Sequence, residues 1–403
     1  AGQARAAGLQ VVEFGELADI QIVHTCSVTK AAVRDGRQAL RLARRVNPDG
    51  TVIATGCAAR TDPDDLLPFT NVNIVEDLGQ AVSLECEGLF PLSASETCTF
   101  DGQGERQKRT RALLKIHDGC FFRCSFCIVP NARPVETSKA VEDAVEEAQR
   151  YVHLGHKEIV LTGVRITGYS PESYMRSGLV ELLKRLGDVP GLLRVRLTSL
   201  YPSEVKSELL EAIANSPNAC PHLHLALQSG DDEVLKRMNR HYTAAQFEEV
   251  AANARSVMPD VSLTTDVIAG FPGETEQAFE NTRNLMERVR FTRTHCFTYS
   301  PRPGTPGALM DGVVPITIAK KRTRELIRVA ALLGKQCRSE AVGTLQQVIV
   351  EQSKNEGEWS GLTATYLETS LHSTDDLQGR VASVRITGLT DSGVTGELVS
   401  VDE

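Results

Sequence analysis

The sequence predicts an α/β protein with an N-terminal α/β domain, a partial (β/α)6 barrel and a small C-terminal β-barrel. From residue 111 onward, short apolar runs alternate with helical segments, which is typical of a parallel sheet with right-handed crossovers. Residues 342–403 are rich in β-branched side chains and turns, which indicates a separate five-stranded barrel of a kind that often binds RNA. Residues 1–100 carry short β-rich runs around one helical stretch, which predicts a small α/β unit.

The N-terminal domain is expected to cover residues 1–100 and to be followed by a polar linker at 101–109. Its predicted elements are the end of a helix at 1–8, strands at 9–14, 20–24 and 52–55, and a helix at 30–46. The linker is predicted because its residues are polar and include glycine.

The central domain is expected to cover residues 111–340 and to contain six strands. These strands are predicted at 113–116, 158–162, 193–198, 222–227, 261–268 and 293–299. The helices are predicted at 139–153, 178–187, 203–214, 231–238, 244–256 and 275–289, with a further charged helix at 316–334. Because a full eight-unit barrel needs about 250 residues, this length favours a partial barrel.

Composition places the chain among globular proteins of a reducing compartment. Of its 403 residues 41% are hydrophobic and 24% are charged, and no apolar run approaches the roughly 20 residues that cross a bilayer. Ten cysteines over this length do not resemble a secreted disulfide framework, so we expect a cytoplasmic protein with several cysteines as metal ligands.

The net charge of −8 argues against indiscriminate nucleic-acid coating but does not exclude a local basic surface. Four basic clusters occur, at 41–45, 108–111, 236–241 and 320–328. Such a cluster is more often a solvated helix face than a binding surface.

Three cysteines, Cys120, Cys124 and Cys127, form a C-x3-C-x2-C pattern directly after the first predicted strand of the barrel. Thiolates suit iron–sulfur clusters and zinc, and three of them leave one iron of a four-iron cluster without a protein ligand. The alternative is a structural zinc site with His117 as the fourth ligand. Structural zinc ligands usually come as two separated pairs, so the pattern favours the cluster.

Polar residues recur at the carboxyl ends of later strands, where the catalytic groups of a barrel enzyme lie. The candidates are Thr162 and Gly163, Gln228, Arg240, and the pair Thr265 and Asp266. A glycine leaves backbone groups free for a ligand, and the Arg240 guanidinium suits a carboxylate. Polar side chains within an apolar strand, such as Thr265 and Asp266, are costly unless they are paired.

Several longer strings carry a specific resemblance. They are His-Leu-His-Leu-Ala-Leu-Gln-Ser-Gly-Asp from His222, Leu-Lys-Arg-Met-Asn-Arg-His-Tyr ending at Tyr242, Asp-Val-Ile-Ala-Gly-Phe-Pro-Gly-Glu from Asp266, and Tyr-Ser-Pro-Arg-Pro-Gly-Thr-Pro from Tyr299. With the cysteine pattern, they resemble the radical S-adenosylmethionine (SAM) methylthiotransferases over essentially the whole chain. These enzymes have an N-terminal cluster-binding domain, a radical SAM partial barrel and a C-terminal TRAM domain.

The resemblance implies roles for individual residues. Cys120, Cys124 and Cys127 would hold the 4Fe–4S cluster that cleaves SAM, and Phe126 would pack against SAM. The residues that match positions near SAM or its supporting shell are Thr162, Gly163, Gln228, Arg240 and Asp266. No amino-acid side chain would act as the catalyst itself, because the cluster and SAM carry the radical chemistry.

A second, auxiliary 4Fe–4S cluster is also implied by the resemblance. Cys26 and Cys57 match two of its three ligands, and each follows a short apolar strand, so both can project from the same sheet edge. The third ligand is expected upstream of Ala1, so the auxiliary site of the sequence as printed would lack one cysteine. The cysteines that match no ligand position are Cys86, Cys98, Cys220, Cys296 and Cys337.

The family implies a substrate and partners. The motifs are most similar to the branch that adds a methylthio group to C2 of N6-threonylcarbamoyladenosine (t6A) at position 37 of tRNA. Alternatives are isopentenyladenosine in tRNA, ribosomal protein S12, or a non-catalytic zinc-stabilised RNA-binding protein. Expected partners are the tRNA anticodon stem-loop and an electron donor such as a flavodoxin or ferredoxin, with no membrane and no DNA. Arg109, Arg111 and Arg133 are expected to supply cations near the pocket, and the 342–403 barrel to hold the RNA stem.

Overall fold

The structure, a computed structural model, describes residues 10–27, 29–66, 68, 74–75, 110–171, 178–355 and 357–402. These residues fall into two compact units. The first unit takes its described residues from 1–105, 126–134 and 302–305, and the second unit from 106–125, 135–301 and 306–403. Several predicted features lie outside the described residues, namely the helix end at 1–8, the linker at 101–109, Cys86, Cys98 and Arg109.

The first unit contains a three-stranded parallel sheet. Its elements are β1 (Ile20–Thr25), α1 (Lys30–Val46), β2 (Thr51–Gly56), α2 (Cys57–Thr61), β3 (Ile74–Val75) and α3 (Val129–Ala132). The strand order is β1-β2-β3, and the register aligns Thr25 with Gly56 at the carboxyl ends of β1 and β2. Helix α1 begins at Thr29, whose hydroxyl accepts a hydrogen bond from the Ala32 amide at 3.1 Å. The sequence predicted α1, β1 and β2 to within one residue at each end.

The strand predicted at 9–14 is not present in the described residues of that segment. Only an isolated bridge joins Phe14 to Glu16, and residues 11–13 have no regular structure. Val12 and Phe14 remain exposed, and among the described residues no neighbouring strand pairs with them. The run therefore has neither the burial nor the partner that would make it a strand. An apolar run forms a strand only where a partner satisfies its backbone groups.

The second unit contains the predicted six-stranded parallel arrangement. Its strands are β4 (Arg111–Asp118), β6 (Glu158–Gly163), β7 (Arg194–Leu197), β8 (His222–His224), β9 (Ser262–Ala269) and β10 (Arg293–Thr298). Parallel pairing runs β4-β6-β7 and β8-β9-β10. Isolated parallel bridges Val195–Ala219 and Leu200–Leu225 connect the two halves. A short antiparallel strand, β5 (Thr137–Ser138), covers the outer edge of β4 and was not predicted.

Helices follow these strands, as predicted. They are α4 (Val141–His153), α5 (Gly178–Gly187), α6 (Ser207–Asn215), α7 (Asp232–Arg237), α8 (Ala244–Val257), α9 (Glu276–Val289) and α10 (Ile316–Ser339). One continuous apolar core joins the helices to the outer faces of the strands, and it includes Leu114, Leu161, Leu197, Leu223 and Leu263. No helix in the described part of the chain is long and apolar enough to span a bilayer.

Three element boundaries differ from the prediction by more than two residues. Strand β8 ends at His224 rather than at residue 227, and only isolated bridges continue the pairing as far as Gln228, whose φ of 68° is left-handed. Helix α6 begins at Ser207 rather than at 203, because a 3-10 turn at Pro202–Glu204 precedes it. Helix α10 continues to Ser339, five residues beyond its predicted end.

The C-terminal segment forms the predicted closed five-stranded barrel. Its strands are β11 (Leu345–Asn355), β12 (Glu358–Thr363), β13 (Glu368–His372), β14 (Val381–Leu389) and β15 (Val394–Asp402), in the order β11-β12-β13-β15-β14. Val348, Val350, Leu371 and Val384 fill its interior. Closure leaves no exposed sheet edge in this barrel.

Buried arginines attach this small barrel to the larger sheet within the second unit. Arg196 donates to both carboxylate oxygens of Glu158, at 2.7 and 3.2 Å, and to the carbonyl oxygens of Thr363 and Ala364 at 3.0 and 2.9 Å. Arg194 donates to the carbonyl oxygen of Leu362 at 2.9 Å. Arg196 is 1% exposed, so its charge is stable there only because these partners surround it.

Removing this cation should destabilise the protein strongly. We expect Arg196→Met to lower the free energy of unfolding by about 3 kcal/mol, because the buried Glu158 carboxylate loses its main partner. Urea unfolding followed by circular dichroism measures this. Arg288→Met is the matched control, since Arg288 forms an exposed pair with Glu248 and such pairs contribute about 0–1 kcal/mol. An equal decrease in the free energy of unfolding in the two variants would contradict the proposed contribution of the buried pair to stability.

Candidate active site

The cysteine loop begins where β4 ends. Gly119 has a φ of 79°, and a Cβ atom at this position would collide with the Val135 carbonyl oxygen, so only glycine fits the turn. Cys120 and Cys124 follow in the second unit, and Cys127 lies on the segment that belongs to the first unit. All three are free thiols.

A turn after helix α7 holds this loop from the other side. The Ser125 amide donates to the Met238 carbonyl oxygen at 3.0 Å. The Asn239 side-chain amide donates to the carbonyl oxygens of Phe122 and Arg123, at 3.0 and 3.2 Å. Both Arg123 and Asn239 have left-handed backbone, with φ of 46° and 56°. The loop is therefore fixed by contacts with residues more than one hundred positions away in the chain.

Arg240 extends the same turn and contacts a cluster cysteine. Its Nη1 donates to Cys124 Sγ at 3.6 Å, its Nη2 to the Ala226 carbonyl oxygen at 2.7 Å, and its Nε to Tyr242 Oη at 3.0 Å. The guanidinium also lies 4.2 Å from the centre of the Tyr201 ring. Burial lowers the pKa of Arg240, but Tyr242, Cys124 and Tyr201 outweigh it and raise that pKa overall.

The guanidinium group of Arg240 was predicted to bind a carboxylate. Each of its three nitrogens has a protein partner instead, so its part in SAM binding stays a prediction. What the structure adds is a cation beside the Cys124 sulfur.

A second cation, Arg165, supports the loop through its aromatic residues. Its guanidinium lies 4.1 Å from the centre of the Phe122 ring and donates to Glu136 at 2.9 Å. Glu136 in turn accepts from the Phe121 amide at 3.1 Å, and Glu204 forms the other ion pair of Arg165. The sequence prediction missed these residues, because none belongs to a recognisable pattern by itself.

The thiol of Cys120 reflects this environment. Burial raises the pKa of Cys120, and the Phe122 amide and the Arg165 charge offset this rise only in part. A metal binds thiolate rather than thiol, so binding an iron atom would have to displace the thiol proton.

Thr162 and Gly163 lie at the carboxyl end of β6, as predicted. Gly163 pairs with His117 across the sheet, and a Cβ atom there would approach the His117 carbonyl oxygen to 2.7 Å. The close approach of the two strands therefore explains why residue 163 is a glycine. The contact of Gly163 with a ligand stays a prediction. Phe126 is half-buried in the first-unit segment, and its contact with SAM likewise stays a prediction.

Gln228 and Asp266 lie on neighbouring segments. The Gln228 amide donates to the Asp266 carbonyl oxygen at 2.8 Å, and the Ile268 amide donates to the Gln228 carbonyl oxygen at 2.9 Å. Thr265 and Asp266 are paired, as their position in an apolar strand requires. Thr265 Oγ1 donates to the Leu225 carbonyl oxygen at 2.5 Å, and the Asp266 carboxylate lies 3.3 Å from His224 Nε2.

Histidines join Asp266 in a polar row that the sequence prediction did not identify. Thr264 Oγ1 lies 3.0 Å from both His222 Nε2 and His224 Nδ1, and the ring of His295 lies 6.4 Å from that of His224. Burial lowers the pKa of His222 well below its usual value and also lowers that of His295. The alternating pattern His-Leu-His-Leu could have identified this row, because alternate residues of a strand lie on the same face of the sheet.

The expected position of Arg111 near the pocket is wrong. Arg111 is the first residue of β4, at the end of the strand opposite to the cysteine loop, and its guanidinium pairs with Glu351 of the small barrel. Arg133 lies in the first unit.

The donor set of the cysteine loop fits an iron–sulfur cluster. Thiolates are the ligands of such clusters, and each cysteine of a cluster binds its own iron. His117, the fourth ligand of the zinc alternative, places its Nδ1 3.0 Å from Ser138 Oγ, and its buried Nε2 has no hydrogen-bond partner among the described residues.

The first unit brings two further cysteines to one sheet edge. Cys26 directly follows β1 and Cys57 directly follows β2, and the aligned ends of these parallel strands place both thiols at the same edge, as predicted. Buried polar atoms without a hydrogen-bond partner among the described residues occur here too: Ser27 Oγ, Thr55 Oγ1, and Nε and Nη2 of Arg302. Burial lowers the pKa of Arg302, whereas the Asp62 carboxylate and the Cys26 thiolate act to raise it.

Comparisons with known proteins agree with this geometry. Residues 114–286 match the radical SAM superfamily, and residues 1–76 match a family described as uncharacterized protein family UPF0004. The chain is 37% identical over 402 residues to the threonylcarbamoyladenosine tRNA methylthiotransferase MtaB of Thermotoga maritima, covering 98% of this chain and 92% of that protein. It is 34% identical over 399 residues to MtaB of Bacillus subtilis, covering 94% and 88%.

The chain belongs to the radical SAM methylthiotransferases. It is therefore a transferase that uses SAM and a 4Fe–4S cluster, and the non-catalytic zinc-binding alternative is set aside. A solved structure of the radical SAM methyltransferase TsrM from Kitasatospora setae supports the fold, with a TM-score of 0.53, 16% identity, and coverage of 72% of this chain and 64% of that chain.

A glycine substitution tests whether the loop geometry is needed for the cluster. We expect Gly119→Ala to remove about four irons per chain, the content of one cluster, because the added Cβ displaces the loop from Val135. Iron is measured on protein reconstituted without oxygen. Gly155→Ala is the matched control, since Gly155 has a φ of 91° but no atom within 4 Å of the added Cβ. Equal iron contents in both variants would show that the loop tolerates displacement.

Proposed function

We propose that this enzyme adds a methylthio group to C2 of t6A at position 37 of tRNA. The observation that carries the proposal is the 37% identity, over nearly the whole length of both chains, to an enzyme named for that substrate. A protein of Aquifex aeolicus named tRNA-2-methylthio-N(6)-dimethylallyladenosine synthase is 29% identical over 99% of this chain. The dimethylallyl (isopentenyl) base is therefore the second candidate.

The protein's own part in the reaction is to hold, orient and shield the reacting groups. When bound, the cluster and SAM supply the radical that removes an unactivated C–H hydrogen, which no acid–base residue can do. Cys120, Cys124 and Cys127 would hold that cluster. Arg240, with its proton permanently in place, offsets the negative charge of the Cys124 thiolate, and Tyr201 and Tyr242 exclude water around it.

A second 4Fe–4S cluster at Cys26 and Cys57 forms part of the proposal. Two thiols at one sheet edge supply suitable donors, and the unpartnered Arg302 nitrogens nearby supply a cation that a negatively charged cluster would satisfy. Ser27 and Thr55 would offer hydroxyl hydrogen bonds to the same group. Hydrogen bonds to cluster sulfurs are among the factors that set the reduction potential of such a cluster.

The domain boundaries and partners complete the proposal. We assign residues 1–100, 111–340 and 342–403 to the methylthiotransferase, radical SAM and TRAM-like domains. The substrate is the anticodon stem-loop of tRNA in the cytoplasm, and a flavodoxin or ferredoxin supplies the electron.

Removing the cluster ligands tests the chemical assignment. Replacing Cys120, Cys124 and Cys127 together by Ala should abolish formation of 5′-deoxyadenosine from SAM under reducing conditions. It should also remove about four irons per chain. Replacing Cys220 by Ala is the control, because this thiol is buried beside Arg194 and Arg196 and has no assigned ligand role. Unchanged 5′-deoxyadenosine in the triple variant would overturn the assignment.

Analysis of modified nucleosides tests the substrate. In a strain that lacks the gene, mass spectrometry of digested tRNA should show loss of the 2-methylthio form of t6A while t6A itself remains. Reintroducing the gene should restore the 2-methylthio form, and the triple cysteine variant should not. Persistence of 2-methylthio-t6A, with loss of methylthiolated isopentenyladenosine or of the modification on S12, would show that another branch is correct.

A further inference from the structure

The C-terminal barrel of this chain carries a net negative charge, which is unfavourable for binding phosphates by charge alone. Residues 342–403 include three Lys or Arg against ten Asp or Glu, so most of the negative charge of the whole protein lies there. A polyanion is bound chiefly through cations that replace its counterions. An enzyme that acts on tRNA therefore needs a basic surface elsewhere.

Helix α10 provides such a surface. It carries seven Lys or Arg and one Glu. Five of its cations are exposed, and we call them the α10 basic face: Lys320, Lys321, Arg324, Arg328 and Lys335. At 3.6 residues per turn, all five fall within an arc of about 100° and extend over about 22 Å of helix.

The opposite face of α10 is buried and fixes the helix in place. Ala319, Leu326 and Leu333 are nearly inaccessible, and the buried Arg322 donates to Glu274 at 2.7 Å. The helix is therefore a rigid support whose exposed side chains keep their spacing.

The cations of the α10 basic face are not neutralised by the protein. In the portions of the chain that the structure describes, none of the five forms an ion pair, and the one acidic residue of the helix, Glu325, lies 3.7 Å from Arg283 instead. Acids at i+4 spacing can offset the charge of a basic helix face. On α10 the one acid at this spacing, Glu325 relative to Lys321, lies against Arg283.

We propose that the α10 basic face binds the sugar–phosphate backbone of the tRNA substrate. The inference rests on the proposed function. An elongated row of exposed cations on one helix has the charge and the extended form that suit a linear polyanion such as a phosphate backbone. The alternative partner is an acidic electron-donor protein. Phosphate contacts position the RNA, while the pocket selects the base.

The experiment compares tRNA binding by charge variants of the intact protein. The main variant is Lys320→Gln, Arg324→Gln and Arg328→Gln combined. Its dissociation constant for unmodified t6A-containing tRNA is measured at several salt concentrations. Because each phosphate contact contributes roughly 0.7–0.9 to the slope of log K against log salt, we expect the slope to fall by about 2–3 and affinity near 0.1 M salt to fall at least tenfold.

Two controls are needed. One tests whether the loss of charge, and not a folding defect, weakens tRNA binding, and the other tests whether the effect is specific to α10. The charge-preserving variant Lys320→Arg, Arg324→Lys and Arg328→Lys should bind tRNA like the wild type. Arg380→Gln with Arg385→Gln, on the exposed surface of the small barrel, should change the slope little. SAM cleavage without tRNA should continue in every variant.

The outcomes distinguish the possibilities. An unchanged slope in the triple Gln variant, with wild-type tRNA binding intact, overturns this inference and leaves the proposed function standing. Slower reduction of the cluster by the donor protein, with tRNA binding unchanged, assigns the face to the donor and likewise overturns it. Absence of tRNA binding by the wild type defeats the proposed function and this inference together.

Discussion

The position of the cysteine loop depends on its attachment to the turn after α7. Asn239 donates to two loop carbonyl oxygens, Met238 accepts from Ser125, and Arg240 contacts the Cys124 sulfur. Two left-handed residues, Arg123 and Asn239, face each other across this attachment. Such backbone is retained only where surrounding contacts determine it, so the local strain and the contacts are parts of one arrangement. A loop that must present thiolates to a cluster gains its geometry from a distant part of the chain.

A second constraint acts at the other end of the strands. Buried Arg194 and Arg196 donate to carbonyl oxygens of the small barrel, and Glu158 forms ion pairs with both. Backbone carbonyls are good partners for a buried guanidinium because they carry no charge that must be desolvated. Removing residues 342–403 would leave these buried arginines without their carbonyl partners and would destabilise the rest of the second unit, so point variants are the better probes of RNA binding.

The sequence predicted most of the second unit because strand and helix signals alternate there without interruption. Its assignment of Cys120, Cys124 and Cys127 as ligands rests on their local spacing and stays a prediction. What it could not supply were contacts between distant segments. The contact of Arg240 with Cys124, 116 residues earlier, could not be predicted from the sequence. The close approach of the His117 carbonyl oxygen to Gly163 is likewise a property of the sheet. Arg111 was placed near the pocket because proximity in sequence to the cysteines does not show which end of a strand a residue occupies. The prediction of a strand at 9–14 was wrong for a similar reason, because the apolar character of a segment does not show whether a partner strand exists.

The net charge of the chain averages two oppositely charged surfaces, so it is a poor guide to where the proposed RNA contact would lie. The value of −8 for the chain is dominated by the small barrel, whereas α10 is strongly basic. Separation of this kind orients a polyanion, because the acidic surface repels it while the basic face attracts it, and both effects act within a Debye length of about 8 Å at physiological salt. An enzyme that must present one base of a folded RNA to a buried cluster benefits from such orientation more than from general affinity. The distribution of charge therefore carries functional information that its sum conceals.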